Sequence, residues 1–320
     1  FVDLRDRSGV VQVVVDGAHD LRSEYVVQVT GNVRERPDET ANNNLATGAI
    51  EVEATEVVLL ATSDPPPFPL NERTEVDEVV RLRHRYVDLR RPRMQQNLEI
   101  RAQVTATIRR AMEEQGFVEV ETPMLVASTP EGARDFVVPS RKEPGSFYAL
   151  PQSPQIFKQL TMMGGVDRYY QIARCLRDED LRADRQFEFM QLDVEASFVT
   201  GEDVRTFVAH AVGAAVEAVT GDHPGEIRSM SWREAMDRFG SDKPDVRFGL
   251  ELVDTTDIFV DTEFRAFQAP CVKGIRVPEG ADISRNRLDE LTEECKRWGA
   301  KGLVWMRFTE DGLNSPVLKF

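Results

Sequence analysis

Short runs of alternating apolar and polar residues, separated by polar turns, occupy the first sixty positions of the chain. Two apolar residues alternate with two glutamates over 50–53, which is the period-two pattern of a half-buried strand. Strand-like runs cover residues 1–4, 10–15, 25–33 and 50–60, and polar turns lie at 16–17 and 35–47. The pattern predicts an all-β barrel over residues 1–62. Because Phe1 already lies inside a strand pattern, we expect the N-terminal edge of the barrel to be missing.

A proline-rich segment follows the predicted barrel. Residues 63–70 contain four prolines in eight positions, a composition that favours an extended, semi-rigid connector over a helix. We therefore predict a linker over residues 63–84 and a domain boundary within it.

Beyond the linker the apolar spacing becomes helical. Ile100, Val104 and Ile108 recur on one face, and Gly116 is a natural stop for that helix. Next come a strand-like segment at 117–121, a helix at 153–163, strands at 168–179 and 187–198, and a helix at 204–219. The short charged loop between the two strands predicts an antiparallel pair. The whole is predicted to be an α+β protein, with a core at 85–244 and a third unit at 245–320 that includes a helix beginning near Ser284.

Composition and charge narrow the class of protein. Apolar residues make up 41% of the chain, the mean hydropathy is −0.38, and no apolar run or leader segment suggests a membrane or a secretory route. The three cysteines stand far apart, so neither a disulfide framework nor a metal knuckle is expected and a reducing cytoplasm fits. The net charge is −15, yet residues 81–110 hold nine arginines against two acids, which predicts an anionic partner nearby.

The densest polar constellation lies between the two antiparallel strands. Residues 174–188 carry nine charged side chains among fifteen positions. Strand periodicity places Arg177 and Glu179 on one face, and Gln191, Asp193 and Glu195 on one face of the returning strand. An aligned polar row is costly on a core-facing sheet, so it indicates the floor of a binding site. The alternative is a solvated hairpin tip.

Two further segments could contribute to such a site. In PQSPQIFKQ, residues 151–159, three polar residues and Lys158 crowd a turn that leads into a helix, where free N–H groups and a cation favour an anion. The alternative is a capped surface helix. In STPEGARDF, residues 128–136, Glu131 is the obvious polar contact and Gly132 a hinge, although an ordinary turn is the alternative. The sequence contains no phosphate loop, dinucleotide fingerprint or metal-binding motif of the common kinds, and no protein metal ligands are predicted.

With these motifs the sequence resembles the bacterial aspartyl-tRNA synthetases, a family of class II aminoacyl-tRNA synthetases. Residues 116–125 resemble class II motif 1, and 169–193 resemble motif 2, with a matching charged loop. RYVDLRRP at 85–92 is typical of the subgroup that includes the lysyl and asparaginyl enzymes, while residues 239–248 resemble the lead into the insertion domain of the bacterial aspartyl enzymes. The resemblance implies an N-terminal OB-fold, an incomplete class II antiparallel-sheet catalytic core and part of an α+β insertion domain. Because motif 3 is missing, we expect the 320-residue chain alone to be inactive.

The resemblance also implies roles for individual residues. Arg177 would be catalytic, bridging the ATP α-phosphate and the substrate carboxylate. The ATP-binding residues would be Arg177, Glu179, Arg185 and Gln186. The aspartate-binding residues would be Glu131, Gln155, Lys158, Arg177, Gln191 and Asp193. Phe1 would stack on an anticodon base and Gln12 would read a base edge.

Cofactors and partners follow from the same resemblance. We expect ATP with Mg²⁺, L-aspartate, tRNA(Asp) and, as an open question, tRNA(Asn). We also expect a cytoplasmic homodimer with Val104, Ile108 and residues 117–121 near its interface, and no membrane partner. The alternatives are an asparaginyl- or lysyl-tRNA synthetase, a non-catalytic OB-fold nucleic-acid-binding module and, for residues 245–320 only, an interaction module.

Overall fold

The structure is a computed structural model that describes residues 1–71, 73–129, 131–182, 184–310 and 312–318. The chain divides into two compact units, Phe1–Gly225 and Glu226–Phe320. The helices of the described residues include none that is long and apolar enough to cross a bilayer.

Four strands form the N-terminal sheet of the first unit. They are β1 (Val2–Asp6), β2 (Gly9–Val14), β3 (Val26–Glu35) and β4 (Ile50–Ala61), in the order β1-β2-β4-β3. Strands β1 and β2 pair antiparallel, as do β3 and β4, whereas β2 and β4 run parallel. Val13, in the middle of β2, is fully buried. Each strand lies within about two residues of its predicted position, because the alternation of apolar and polar residues marks a sheet with one covered face.

Three helices connect this sheet to the core. They are α1 (Glu78–Arg83), α2 (Arg85–Asp88) and α3 (Pro92–Glu114). Helix α1 lies inside the segment predicted as a linker, and the Asp77 carboxylate caps it by accepting from two backbone N–H groups. Helix α3 begins at Pro92, a favourable first helical residue, which precedes the predicted apolar stripe. Gly116, with a φ of +80°, follows the helix as expected.

The arginine-rich segment finds much of its counter-charge inside the chain. Asp88 is fully buried, and its carboxylate lies 2.5 Å from Arg85, 3.7 Å from Arg81 and 3.9 Å from Arg91. Arg90 pairs with Glu24, which lies in the turn before β3. Part of the positive charge therefore joins the helices to each other and to the turn before β3.

A second sheet forms the floor of the core region. It contains β5 (Val118–Glu119), β8 (Arg168–Leu176) and β9 (Glu188–Ala196), in the order β5-β8-β9. The β8–β9 pair is antiparallel, as predicted, and aligns Gln171 with Asp193. Helix α3 packs beside α5 (Gly201–Thr220). The apolar residues between these helices and the sheet form a cluster of Ala111, Met112, Phe117, Tyr170 and Ala211.

Strand β8 is shorter than predicted. It ends at Leu176, although Arg177 and Glu179 were expected to continue it. The reason is that the Asp178 N–H donates to the carbonyl of Arg134 rather than to the returning strand, so the backbone turns toward the loop at 128–136. Along the described part of the chain, three elements lie between β5 and β8. They are the strands of a small hairpin, β6 (Val137–Pro139) and β7 (Phe147–Ala149), and helix α4 (Gln155–Met163).

The second unit is built from short elements. Its helices are α6 (Trp232–Phe239) and α7 (Arg285–Arg297), and its strands form the antiparallel pairs β10 (Leu252–Asp254) with β11 (Lys273–Ile275) and β12 (Arg307–Thr309) with β13 (Gly312–Asn314). Helix α7 begins at the predicted place because the Ser284 hydroxyl accepts from the Arg287 N–H, and Leu288 on its apolar stripe is buried.

Candidate active site

A buried cation marks the centre of the site. Lys158, on the second turn of α4, is 8% exposed. Its Nζ lies 3.1 Å from Asp193 Oδ1 and 3.2 Å from Glu195 Oε2, both on β9. Gln191 Nε2 also donates to Asp193 Oδ1, at 3.3 Å. The polar row predicted on β9 therefore meets the lysine predicted at the start of α4, and the surface-helix alternative for Lys158 is wrong because its side chain turns onto the sheet.

The Asp193 carboxyl group has an unusual environment. Burial raises its pKa, and the neighbouring Lys158 opposes this rise without cancelling it. Its second oxygen, Oδ2, is buried and has no hydrogen-bond partner among the described residues. Buried carboxylate oxygens are ordinarily satisfied, so Oδ2 is an open acceptor beside a cation. A ligand that carries both an ammonium and a carboxylate group would suit this pair.

The loop at 128–136, of which all residues but 130 are described, docks against the segment that leads into α4. Glu131 Oε2 accepts from the Ser153 hydroxyl at 2.6 Å, and its Oε1 accepts from the Thr129 hydroxyl at 2.9 Å. The hydrogen bond between Glu131 and Ser153 therefore joins the loop to the segment that contains Lys158. This contact favours a site loop over the alternative of an ordinary turn. Gln155, the first residue of α4, lies one turn before Lys158 and is partly exposed.

Arg177 lies at the edge of the same floor, immediately after β8. Its guanidinium carbon is 5.0 Å from the ring centroid of Phe189, a cation–π distance, and its Nε donates to the Gln152 carbonyl at 3.4 Å. The ring and the carbonyl orient a planar guanidinium, which can bind a carboxylate or phosphate with two parallel hydrogen bonds.

The tip of the β8–β9 hairpin is open to solvent. Glu179, Arg185 and Gln186 are exposed, and the one ion pair among these three residues joins Arg185 to Glu179 at 3.7 Å. The structure does not bring these residues to the Lys158 centre. Residue 183 lies outside the described part of the chain. Among the described residues no group of three or more potential ligands is arranged to hold a metal ion.

The N-terminal sheet carries the two residues predicted to bind nucleic acid. Phe1 is 86% exposed at the start of the chain. The Gln12 amide instead donates to Glu51 Oε2 at 2.9 Å, and Arg34 Nε donates to the other oxygen of Glu51 at 2.8 Å. Although Glu51 alternates with apolar residues along β4, it is only 4% exposed because these two partners cover it. Gln12 is therefore held by a neighbour that the sequence pattern did not reveal.

Two residues near the centre were assigned no role from the sequence, although Gln152 is one of the polar residues singled out in the turn before α4. Gln152 is 2% exposed and makes hydrogen bonds to the loop at 128–136. Phe189 supports Arg177. Their signal in the sequence is weak, because a glutamine in a polar turn and a phenylalanine in a strand are both ordinary; only the fold brings them to Arg177.

Comparison with known proteins agrees with this geometry. The family described as tRNA synthetases class II (D, K and N) matches residues 77–293, and the OB-fold nucleic acid binding domain family matches residues 1–60. An Aspartate--tRNA(Asp/Asn) ligase of Natranaerobius thermophilus is 51% identical over 335 residues, covering 100% of this chain and 57% of the relative. An Aspartate--tRNA ligase of Lysinibacillus sphaericus is 51% identical over 335 residues, with the same coverage.

Solved structures agree on the fold. A crystal structure of a Leishmania major Friedlin protein assigned as an aspartyl-tRNA synthetase matches with a TM-score of 0.56 and 22% identity, covering 70% of this chain and 49% of that one. The chain thus spans little more than half the length of the curated relatives it matches. The predicted combination of an OB-fold with a class II catalytic core is confirmed, and so is the resemblance to the aspartyl enzymes. The chain belongs to the class II tRNA synthetases of the D, K and N group.

Proposed function

We propose that the full-length protein attaches L-aspartate to tRNA in two steps, with aspartyl-adenylate as the intermediate. The observation that carries this proposal is the buried Lys158, which offers a cation beside the open acceptor of Asp193. An acidic amino acid supplies the complementary charges. The names of the relatives, which are aspartate ligases, support the same substrate.

In the first step an oxygen of the aspartate α-carboxylate attacks the α-phosphorus of ATP and pyrophosphate leaves. No protein nucleophile is required, so the chain contributes by positioning the reactants and stabilising charge. Arg177, oriented by Phe189 and the Gln152 carbonyl, is assigned to the α-phosphate and the α-carboxylate. Lys158, with Gln155 beside it, is assigned to the side-chain carboxylate.

The substrate ammonium group is assigned to the acidic side of the pocket. Asp193 Oδ2 is the acceptor that still lacks a partner, with Gln191 hydrogen-bonded to the other oxygen. Glu131 reaches the pocket from the loop that it anchors to Ser153. This arrangement surrounds a cation with acceptors. The ammonium group of Lys158, which already pairs with Asp193 and Glu195, is assigned to the anionic end of the substrate as well.

ATP is assigned to the exposed hairpin, with Mg²⁺ arriving as part of the ATP complex. Glu179 and Gln186 would contact the nucleotide and Arg185 its terminal phosphates. Because the described residues hold no metal-binding cluster, the ion would be coordinated chiefly by phosphate oxygens and water. In the second step a hydroxyl of the terminal tRNA ribose attacks the acyl carbonyl, and AMP leaves.

The N-terminal domain is assigned to the anticodon of tRNA(Asp), with tRNA(Asn) as a second tRNA to be tested. The exposed ring of Phe1 can stack on a base, a contact that contributes roughly 1–3 kcal/mol. Gln12, whose amide donates to Glu51, is assigned to a base edge.

We also infer a cytoplasmic homodimer. Ile108 packs against its own core, so the exposed Val118 on β5 is a more suitable interface residue than the apolar stripe of α3.

Amino-acid-dependent pyrophosphate exchange on the full-length protein tests this function. Aspartate should support exchange at least about 100-fold better than asparagine or lysine, the discrimination expected when a buried charge is matched or unmatched. Faster exchange with asparagine or lysine would reassign the substrate, and binding of nucleic acid without any exchange would favour a non-catalytic module. Light scattering at micromolar concentration tests the dimer, which a monomeric mass would contradict.

A further inference from the structure

One buried amide connects the loop at 128–136 to the rest of the site. Gln152 is 2% exposed. Its side-chain oxygen accepts from the Ala133 N–H at 3.1 Å, and its Nε2 donates to the Ala133 carbonyl at 2.9 Å and to Asp135 Oδ1 at 2.5 Å. Both donor hydrogens of the amide and one acceptor position are therefore used. Two of these three bonds mimic the pairing of adjacent strands, although neither segment is a strand.

Gln152 also helps to hold together the two ends of the loop that carries Glu131. The second oxygen of Asp135 accepts from the Ser128 hydroxyl, so a single carboxylate gathers the two ends of the loop, and Gln152 holds that carboxylate from inside. Glu131 lies between the two ends and contacts Ser153, the residue that follows Gln152. The position of Glu131 thus depends on the amide.

The backbone of Gln152 has a separate contact. Its carbonyl accepts from Arg177 Nε at 3.4 Å. A side-chain substitution at Gln152 would leave this carbonyl in place. It would therefore disturb the loop first and the arginine only indirectly.

We propose that Gln152 is a positioning residue that keeps the loop at 128–136 docked before substrate binds, and that it thereby sets the affinity for the amino acid. This inference rests on the proposed function, because it takes the docked loop as one wall of the aspartate pocket. If the loop were docked in only a fraction of the molecules, the apparent affinity would fall by that fraction. Affinity for ATP would change little, because its assigned contacts lie on the hairpin and at Arg177, which is held by the backbone carbonyl of Gln152 and not by its side chain.

Two substitutions in the full-length protein test the proposal. Gln152→Met keeps the length of the side chain and removes all three hydrogen bonds, whereas Gln152→Glu keeps the shape and places a carboxylate against Asp135. Each should raise the aspartate KM at least about tenfold while the ATP KM changes by less than about twofold, as expected for loss of a contact to one substrate only. Gln268→Met, which removes an exposed glutamine that donates to a backbone carbonyl, is the matched control and should change neither value.

Hydrogen exchange supplies a readout that does not depend on activity. The peptide covering residues 128–136 should exchange faster in both variants, because Gln152→Met removes the acceptor of the Ala133 N–H and Gln152→Glu sets two carboxylates against each other at Asp135. Peptides from α5 should keep their wild-type rates. Unchanged exchange at 128–136, or an aspartate KM equal to that of wild type, would overturn the proposal. If wild-type protein lacked aspartate-dependent pyrophosphate exchange, the proposed function would fail, and hydrogen exchange would still decide whether Gln152 holds the loop.

A double variant tests whether the effect comes from the specific hydrogen bond between residues 152 and 135 or from general damage to folding. Gln152→Glu combined with Asp135→Asn exchanges the donor and the acceptor, so the new amide can donate to the new carboxylate. The double variant should recover part of the lost aspartate affinity and part of the protection at 128–136. Recovery of neither, in a protein whose thermal midpoint matches that of Gln152→Glu alone, would contradict a positioning role. If Gln152→Met fails to fold, Gln152→Glu and this pair still provide the comparison.

Discussion

The floor of the site and the tip of the hairpin carry similar ion pairs in opposite surroundings. On the floor the side chains of Lys158 and Asp193 are 10% and 9% exposed and lie 3.1 Å apart. At the tip the side chains of Arg185 and Glu179 are 59% and 43% exposed and lie 3.7 Å apart. Buried pairs are costly to break, whereas exposed pairs contribute little to stability. Under the proposed assignments we therefore expect an amino-acid subsite that is formed in advance and a nucleotide subsite that adapts to its ligand.

The largest effect is expected from removing the cation of the floor. Lys158→Met in the full-length protein should lower kcat/KM for aspartate at least about 100-fold, equivalent to roughly 2.7 kcal/mol, because the side-chain carboxylate loses its partner. The ATP KM should stay near its wild-type value. Steady-state pyrophosphate exchange measures both quantities. Lys296→Met is the matched control, since Lys296 forms an exposed pair within α7. An unchanged dependence on aspartate would remove Lys158 from the specificity site.

The next largest difference is expected in the free energy of unfolding, which substitutions on the floor should lower far more than substitutions at the hairpin tip. Lys158→Met leaves the buried Asp193 without its main counter-charge, and such a loss costs roughly 3–5 kcal/mol. Adding Asp193→Asn should recover much of this loss, because the uncompensated charge is then gone. Arg185→Ala at the tip should change stability by less than about 0.5 kcal/mol. Urea unfolding of the three variants measures these differences. Equal destabilisation at floor and tip would refute the distinction between them.

The stability of the protein and its aspartate KM should both depend on the protonation of Asp193, on the floor, and not on groups at the hairpin tip. Burial raises the pKa of Asp193 above its ordinary value of 3.8, so the folded protein takes up this proton more readily than the unfolded chain does. Stability from this group therefore decreases as the pH rises through the window between the two values. Function has the opposite sign, since the proposed contact with the substrate ammonium needs the ionised carboxylate. The aspartate KM should rise as the pH falls toward the raised pKa, by about tenfold per unit below it.

Asp193→Asn tests this assignment directly. The variant should bind aspartate more weakly at neutral pH and should lose the rise of KM at acidic pH. Glu179→Gln at the tip should retain the wild-type profile. An acidic limb that persists in Asp193→Asn would assign the proton to another group.

The sequence predicted elements better than it predicted contacts. The period-two and helical patterns located β4 and α5 closely, because burial of one face dictates both patterns. Those patterns carry no record of which polar side chains meet. Glu51 alternates with apolar residues and yet is buried under Gln12 and Arg34. The arginines of residues 81–110 predicted an anionic partner, and the pattern did not show that several of them pair within the chain.

In the candidate site, too, the segments were predicted better than the contacts between them. The segments that form it were recognised from their charged and polar residues, and the structure brings Lys158, Gln191 and Asp193 together as their strand and helix positions suggested. The early end of β8 and the contacts of Gln152 were not predicted, because both depend on the loop at 128–136 pairing with residues far away in the sequence. Long-range pairing of this kind leaves no local periodicity.

The smallest effect is expected at Cys175, a buried cysteine of β8. Burial raises the pKa of Cys175 to about 11, and Arg177 opposes this rise only partly. Because the thiolate is the reactive form, iodoacetamide at neutral pH should modify Cys175 much more slowly than the exposed Cys271, as peptide mass spectrometry can measure. Lys158→Met should speed modification of Cys175 slightly by loosening the floor, and Arg185→Ala should not. Equal acceleration in the two variants would show that the tip and the floor open together, which the contrast in their burial argues against.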